Sequence, residues 1–341
     1  MDLIWTGSQF LDPVRHTDEV IAAIDSIDLT NKDEVWAESV AAAAAGYVGV
    51  PPEFVRVGAG ATQLIDVLLR SLYRGLLVDV VPNFHLPATV SRHEQWNYQG
   101  VPVREPGELL PTLEPYLDRP DAVFSLSSPR NPLGYQFALN DISTLLDRAK
   151  GQVILDEVYA DFADDSALRL VTRYPNLVVV RTFSKAWGLA NLRVGFAASA
   201  AFADAPPGGL RLRLMPNSVS GVAQRAVRHL LAHPDAVRAS ITQARRARDL
   251  MAPALDGVAG LRVWPSGANY LCLETSGAAD VAGALADRGY RVRLLHDLRG
   301  YPQDWPTGIR IAVPPQPHLD AVVNCVHACH PATAAPAGAV R

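Results

Sequence analysis

Between residues 55 and 200, short apolar runs alternate with segments of helical periodicity, and this alternation constrains the fold more than any other feature of the chain. The runs "LLVDVVP" (76–82), "DAVFSLSSP" (121–129), "QVILDEVY" (152–159), "LVVVRTFS" (177–184) and "RVGFAAS" (193–199) have the length and composition of buried strands. Between them, "TQLIDVLLRSLYRG" (62–75) puts Leu64, Ile65, Leu68, Leu69 and Leu72 on one helical face. "LNDISTLLDRAK" (139–150) predicts a helix with Asn140 as its cap and Gly151 as its stop. Such alternation predicts an α/β unit with a mostly parallel sheet, whose ligands bind at the carboxyl ends of the strands.

Beyond that unit, "PDAVRASITQARRARDLMAPAL" (234–255) predicts one long connecting helix, and the segments after it predict a small α+β domain. The expected organisation is an N-terminal arm and the start of the small domain over 1–45 and a large α/β domain over 46–233. The connecting helix and small domain follow over 234–330, and an Ala/Pro-rich disordered tail over 331–341. The net charge of −4 and the lack of a Lys/Arg block point away from nucleic acid. No apolar run reaches the roughly 18 residues of a membrane helix. The N-terminus lacks the pattern of a signal peptide, and only three cysteines are present, so a reducing, cytoplasmic setting is expected. Cys325 and Cys329 stand four residues apart beside His327 and His330, but without the ligand spacing of a zinc site, and no metal is expected.

Of 31 basic residues only Lys32, Lys150 and Lys185 are lysines. Lys32 lies among charges and Lys150 ends a helix, where a cation complements the dipole. Lys185 follows the carboxyl end of an apolar strand and has apolar and aromatic neighbours, the setting a Schiff-base lysine needs. Asp156 closes another apolar strand, where a carboxylate is costly unless it meets a cation, and Tyr159 follows it. Asn131 sits in the turn "SSPRNPLG" (127–134). "GAGATQ" (58–63) opens a helix with small residues whose free N–H groups suit a phosphate.

These segments carry a resemblance. "LDEVYADF", "NLVVVRTFSKAWGLANLRVGF" and "SSPRNPLG" resemble fold type I pyridoxal phosphate enzymes of the class I/II aminotransferases, most of all the histidinol-phosphate aminotransferase branch, over residues 46–325. The resemblance implies a pyridoxal 5'-phosphate cofactor held by Lys185 through a Schiff base. Asp156 would face the pyridine nitrogen, Tyr159 and Asn131 the ring's phenolic oxygen, and Phe84 the ring face. Ser184, Arg193 and Thr182, with the backbone at Ala61 and Thr62, would hold the phosphate. Arg310 would grip the substrate carboxylate, with Asn269 near it. It further implies a homodimer that moves an amino group between an amino acid and a 2-oxo acid. A decarboxylase of the threonine-phosphate type and a non-catalytic binding protein of the same fold are the alternatives.

The chain departs from the family's pattern in its N-terminal arm, "TGSQFLDP" (6–13), and at 29–34, where the family's tyrosine for the partner subunit's cofactor phosphate is missing and Lys32 stands near its place. The stretches after Arg310 and over 211–224 also differ. All these regions read substrate, so a substrate other than histidinol phosphate is an open expectation. His85, beside Phe84, is either a substrate-facing or a structural histidine.

Overall fold

A computed structural model describes residues 1–4, 6–25, 27–28, 30, 34–203 and 212–330. Lys32 and the 331–341 tail lie outside the described residues.

Among the described residues, seven strands form the large sheet: β1 (Val55–Gly58), β2 (Leu76–Val81), β3 (Tyr98–Pro102), β4 (Ala122–Ser127), β5 (Gln152–Asp156), β6 (Leu177–Thr182) and β7 (Gly195–Ala198). Their order is β1-β7-β6-β5-β4-β2-β3. Only β7 runs antiparallel to its neighbours; the remaining pairings are parallel. Every residue of β4, β6 and β7 is buried, which explains why these strands are apolar runs and not alternating ones. The helix Gly60–Leu72 buries Leu64, Ile65, Leu68, Leu69 and Leu72 against the sheet, starting two residues before the expected position.

Two expectations about the helix Leu139–Arg148 need correction. Its N-cap is Ala138, extended at ψ 141°, so Asn140 lies inside the first turn, where its carbonyl accepts from the hydroxyls of Ser143 and Thr144. The helix ends before an extended Ala149, and Gly151 serves the sheet instead, because a Cβ there would run into the carbonyl oxygen of Ala122. Gly151 is needed for close approach of two backbones at the start of β5.

The second sheet contains β8 (Arg262–Val263), β9 (Tyr270–Glu274), β10 (Arg293–Leu294) and β11 (Gly308–Ala312), antiparallel in the order β10-β11-β9-β8. One helix, Asp235–Leu255, precedes it, as the sequence predicts. The N-terminus joins this sheet's core. Leu3 is fully buried there, its N–H donates to Arg291 O (2.8 Å), and its carbonyl accepts from Ala312 N (3.0 Å). These bonds fix the start of the arm alongside the end of β11, two residues beyond Arg310. On the helix His318–Ala328, Cys325 is buried and His327 bonds Ala254 O, while His330, just past the helix, bonds Thr275 Oγ1 and Val326 O.

Candidate active site

The carboxyl ends of β2, β4, β5 and β6 and the start of the helix Gly60–Leu72 open onto one cavity of about 290 Å³. Lys185, Asp156, Tyr159, Asn131, Phe84, Ala61, Thr62, Thr182, Ser184, Arg193 and Arg310 all line it. Asp156 and Thr182 are the last residues of their strands, and Lys185 follows three positions after β6. The hydrogen-bonded ladder ends there, which frees the side chains and the turn backbone to face a ligand.

At the helix start, no side chain caps the first turn, so the N–H groups of Ala61 and Thr62 lack the usual partner at a positive dipole end. Gly60 has φ +81°, and a Cβ on it would lie 2.7 Å from Arg193 Nη2. Arg193 itself adopts φ +54°, a left-handed conformation that costs a large side chain about 1–3 kcal/mol and is held here by its surroundings. Its Nη1 donates to Ser184 Oγ (3.2 Å) and Ala190 O (3.0 Å). Thr182 Oγ1 accepts from Ser184 N (3.1 Å), which shapes the turn ahead of Lys185. Glycine, guanidinium, hydroxyl and helix N-terminus form a cradle suited to a phosphate.

Deeper in the site, the Asp156 carboxyl is buried, and burial pushes it up to about 6 against the pull of the Val158 N–H and the Lys185 charge. The Tyr159 phenol moves the other way. Burial alone would raise it, but Lys185, Arg310 and a hydrogen bond from Thr6 together bring it below its ordinary value. Tyr159 packs edge-on against Tyr270, with ring centres 5.0 Å apart. Lys185 Nζ lies 5.3 Å from the Tyr159 ring centre and donates to Thr6 Oγ1 at 3.0 Å.

Arg310, on β11, is buried and reaches the cavity from the second sheet. Its Nη1 donates to Asn131 Oδ1 (2.8 Å) and its Nη2 to Ile4 O (3.1 Å), while its Nε is buried without an acceptor. Because Asn131 Oδ1 already accepts from Arg310, Asn131 can offer a ligand its donor end. Asn269 does not line the cavity; its Nδ2 donates to Thr6 O (3.2 Å) and Gly7 O (3.0 Å), so it holds the arm.

Several lining residues lay beyond sequence reasoning: Ile4 and Thr6 from the arm, and Leu298, Arg299 and Tyr301 from the loop after β10. Asn83 is another. It bonds Asp79 (2.8 Å) and, through Oδ1, the Phe84 N–H (2.8 Å), and so sets the turn that presents Phe84. His85 lines the cavity beside Phe84; burial and then the Arg299 charge keep its imidazole below the usual range.

The sequence profile described as aminotransferase class I and II matches residues 35–324. This chain belongs to the class I and II aminotransferases. It is 32% identical over 292 residues to a histidinol-phosphate aminotransferase of Thermococcus kodakarensis, an alignment covering 85% of this chain and 83% of that one. Among solved structures, a histidinol-phosphate aminotransferase from Clostridium acetobutylicum superposes with TM-score 0.81 at 15% identity, covering 97% of this chain and 99% of that one. An L-threonine-O-3-phosphate decarboxylase from Porphyromonas gingivalis superposes with TM-score 0.78 at 20% identity, covering 96% and 98%. Two different reactions thus share this fold, so the fold alone does not choose between them.

The enzyme's cofactor is pyridoxal phosphate. The residues present fit it: the Gly60–Arg193 cradle has the donors a phosphate requires, and a buried acid, an amine and a phenol line the same cavity.

Proposed function

We propose that this aminotransferase moves an amino group between an L-amino acid or an amino-alcohol phosphate and a 2-oxo acid, with Lys185 as its catalytic lysine. Bound pyridoxal phosphate supplies an aldehyde that condenses with amines and a ring that takes up the electron pair left when Cα loses its proton. The observation that carries the reading is the convergence of Lys185, Asp156 and Arg310 on one cavity. Lys185 Nζ would hold the cofactor and, as a free amine, would carry the proton from the substrate Cα to the cofactor's aldehyde carbon, the move an amino transfer needs. The buried Asp156 carboxylate keeps the pyridine nitrogen protonated and gains there the cation its burial lacks. Tyr159 and Asn131 Nδ2 bond the phenolic oxygen, and Phe84 covers the ring. Arg193, Ser184, Thr182 and the N–H groups of Ala61 and Thr62 hold the phosphate. Arg310 grips the substrate carboxylate, a task suited to a planar guanidinium that lines the cavity. Asn269 acts near that carboxylate through the arm it secures.

The protein works as a cytoplasmic homodimer in this reading. Val14 (69% exposed) and Ile21 (53%) on the helix Pro13–Ile24, together with Trp36 (50%), present apolar side chains suited to a second copy. Mass determination by light scattering tests the dimer.

The decisive experiment is a screen of amino acids and amino-alcohol phosphates against purified enzyme, followed by the cofactor's absorbance and product analysis. Conversion to the amine form of the cofactor with release of an oxo product, lost in Lys185→Ala, is expected. Release of CO₂ in place of an oxo product would replace the reading with the decarboxylase. No spectral change with any amine would point to a binding protein.

A further inference from the structure

The arm residue Thr6 precedes the segment that matches the family profile, and its neighbours give it a role in the site. It is 3% exposed, and its hydroxyl touches two groups of the active site at once, Lys185 Nζ at 3.0 Å and Tyr159 Oη at 2.7 Å. We propose that Thr6 is a positioning residue for the reaction, a hydroxyl that orients both the Lys185 amine and the Tyr159 phenol proton. The inference rests on the reading of Lys185 as the catalytic lysine.

The direction of the hydrogen bonds follows from the chemistry of the three groups. The Lys185 amine has N–H hydrogens to donate whether charged or neutral and gives one to Thr6 Oγ1, which leaves the lone pair of the neutral amine free for the Cα proton. The Thr6 hydroxyl hydrogen is then free for Tyr159 Oη. The phenol in turn keeps its own hydrogen for an acceptor in the cavity, where the cofactor's phenolic oxygen would stand. One hydroxyl therefore fixes where the amine rests when the substrate has displaced it and which way the phenol donates. The same bond adds to the charges of Lys185 and Arg310 in holding the Tyr159 phenol below its ordinary value against the effect of burial. Asp156 and Tyr270 are the other titratable groups that act on this phenol or pack against it.

The backbone around Thr6 is clamped as a positioning role requires. Asn269 Nδ2 bonds the carbonyls of Thr6 and Gly7, and Arg310 Nη2 bonds the carbonyl of Ile4. The chain on both sides of Thr6 is thus tied to β11 and to the residue that leads into β9. A hydroxyl on a clamped backbone loses little entropy when it bonds, and misplacing a reacting amine by about 1 Å can cost on the order of 10²-fold in rate.

Thr6→Val keeps the side chain's shape and removes the hydroxyl; Thr6→Ser keeps the hydroxyl. The valine variant should lower kcat on the order of 10²-fold with KM for the amino acid little changed, and serine should restore kcat to within a few-fold. The second readout needs no turnover. In cofactor-free protein labelled with 13Cζ-tyrosine, the Tyr159 resonance, assigned by its loss in Tyr159→Phe, should titrate at higher pH in Thr6→Val and return in Thr6→Ser. An unchanged midpoint and kcat in the valine variant, or a serine variant as impaired as valine, would overturn the proposal. A protein that turns over no amine yet shows the shifted Tyr159 midpoint would overturn the reaction assigned above and uphold the hydrogen-bonded arrangement.

Discussion

Arg310 Nη1 donates to Asn131 Oδ1 at 2.8 Å, a bond that ties β11 of the small sheet to the turn after β4 of the large one. The guanidinium also holds the Ile4 carbonyl, so one side chain joins both sheets and the N-terminal arm. A lysine keeps the charge but has one nitrogen on a flexible stem and cannot serve these partners and a carboxylate together. Arg310→Lys should lower kcat/KM for the amino donor about 10- to 100-fold, the value of one or two lost charge-assisted hydrogen bonds, with most of the loss in KM. Steady-state kinetics decide it. A variant with unchanged KM would remove Arg310 from carboxylate binding.

The Gly60–Arg193 contact leads to a second prediction. Gly60→Ala would place a methyl 2.7 Å from Arg193 Nη2 at a residue whose φ is +81°. The guanidinium can swing away, so the fold should survive, with a backbone penalty of about 1–2 kcal/mol. The displaced Arg193 no longer points into the cradle, and cofactor affinity should fall about tenfold or more, a loss of at least ~1.4 kcal/mol in binding. Titration of cofactor-free protein with pyridoxal phosphate measures this. Unchanged affinity would mean that the phosphate sits elsewhere.

The large sheet and most of the site were legible in the sequence because their signals are local. Each strand's apolar run stops where the ladder stops, and Asp156 and Lys185 stand at or just beyond such stops. Thr6 carried no comparable signal. Its partners lie 153 and 179 residues away, and a threonine in a short arm looks like any other. The bonds that Leu3, Ile4 and Thr6 make with β11 and Asn269 bring it to the site. Asn269 is a related case: the resemblance placed it near the substrate carboxylate, and its amide reaches that neighbourhood through the arm, bonded to the carbonyls of Thr6 and Gly7. Asp79, in the middle of the apolar run 76–82, likewise makes sense only through Asn83 and Tyr98, which bond both its oxygens.

Gly151 separates a helix stop from a close backbone approach. Gly151 has no left-handed φ, so without a close contact Gly151→Ala would be nearly neutral or mildly stabilising, since alanine restricts the unfolded chain. The structure puts the new methyl against the Ala122 carbonyl, between two strands that cannot move apart without losing their ladder. The variant should lose about 1–3 kcal/mol, seen as a lower urea midpoint with an unchanged slope. An unchanged midpoint would mean that the two backbones leave room for the methyl and that no close approach requires this glycine.

Asp156 gives a pH prediction whose sign differs from that of an ion-paired carboxylate. Burial raises its folded pKa from 3.8 to about 6, with the Val158 N–H and Lys185 only partly opposing it. Between those values the folded, cofactor-free protein holds a proton that the unfolded chain has released. Stability therefore falls as pH rises from about 4 to about 6 and levels off above. Asp79, buried and also raised to about 6, adds to the same slope. Asp156→Asn removes its own share of that slope, to which the buried Glu157 and Glu274, also raised, contribute further: it should match the wild type near pH 4 and exceed it by on the order of 2–3 kcal/mol at pH 8. Urea denaturation of the cofactor-free proteins across this range measures the difference. The same variant should lose nearly all turnover, because its amide cannot keep the pyridine nitrogen protonated. A more stable but inactive variant is the mark of a carboxylate retained for the reaction at a cost to the fold, whereas equal stability at pH 8 would mean that the free protein already compensates the charge.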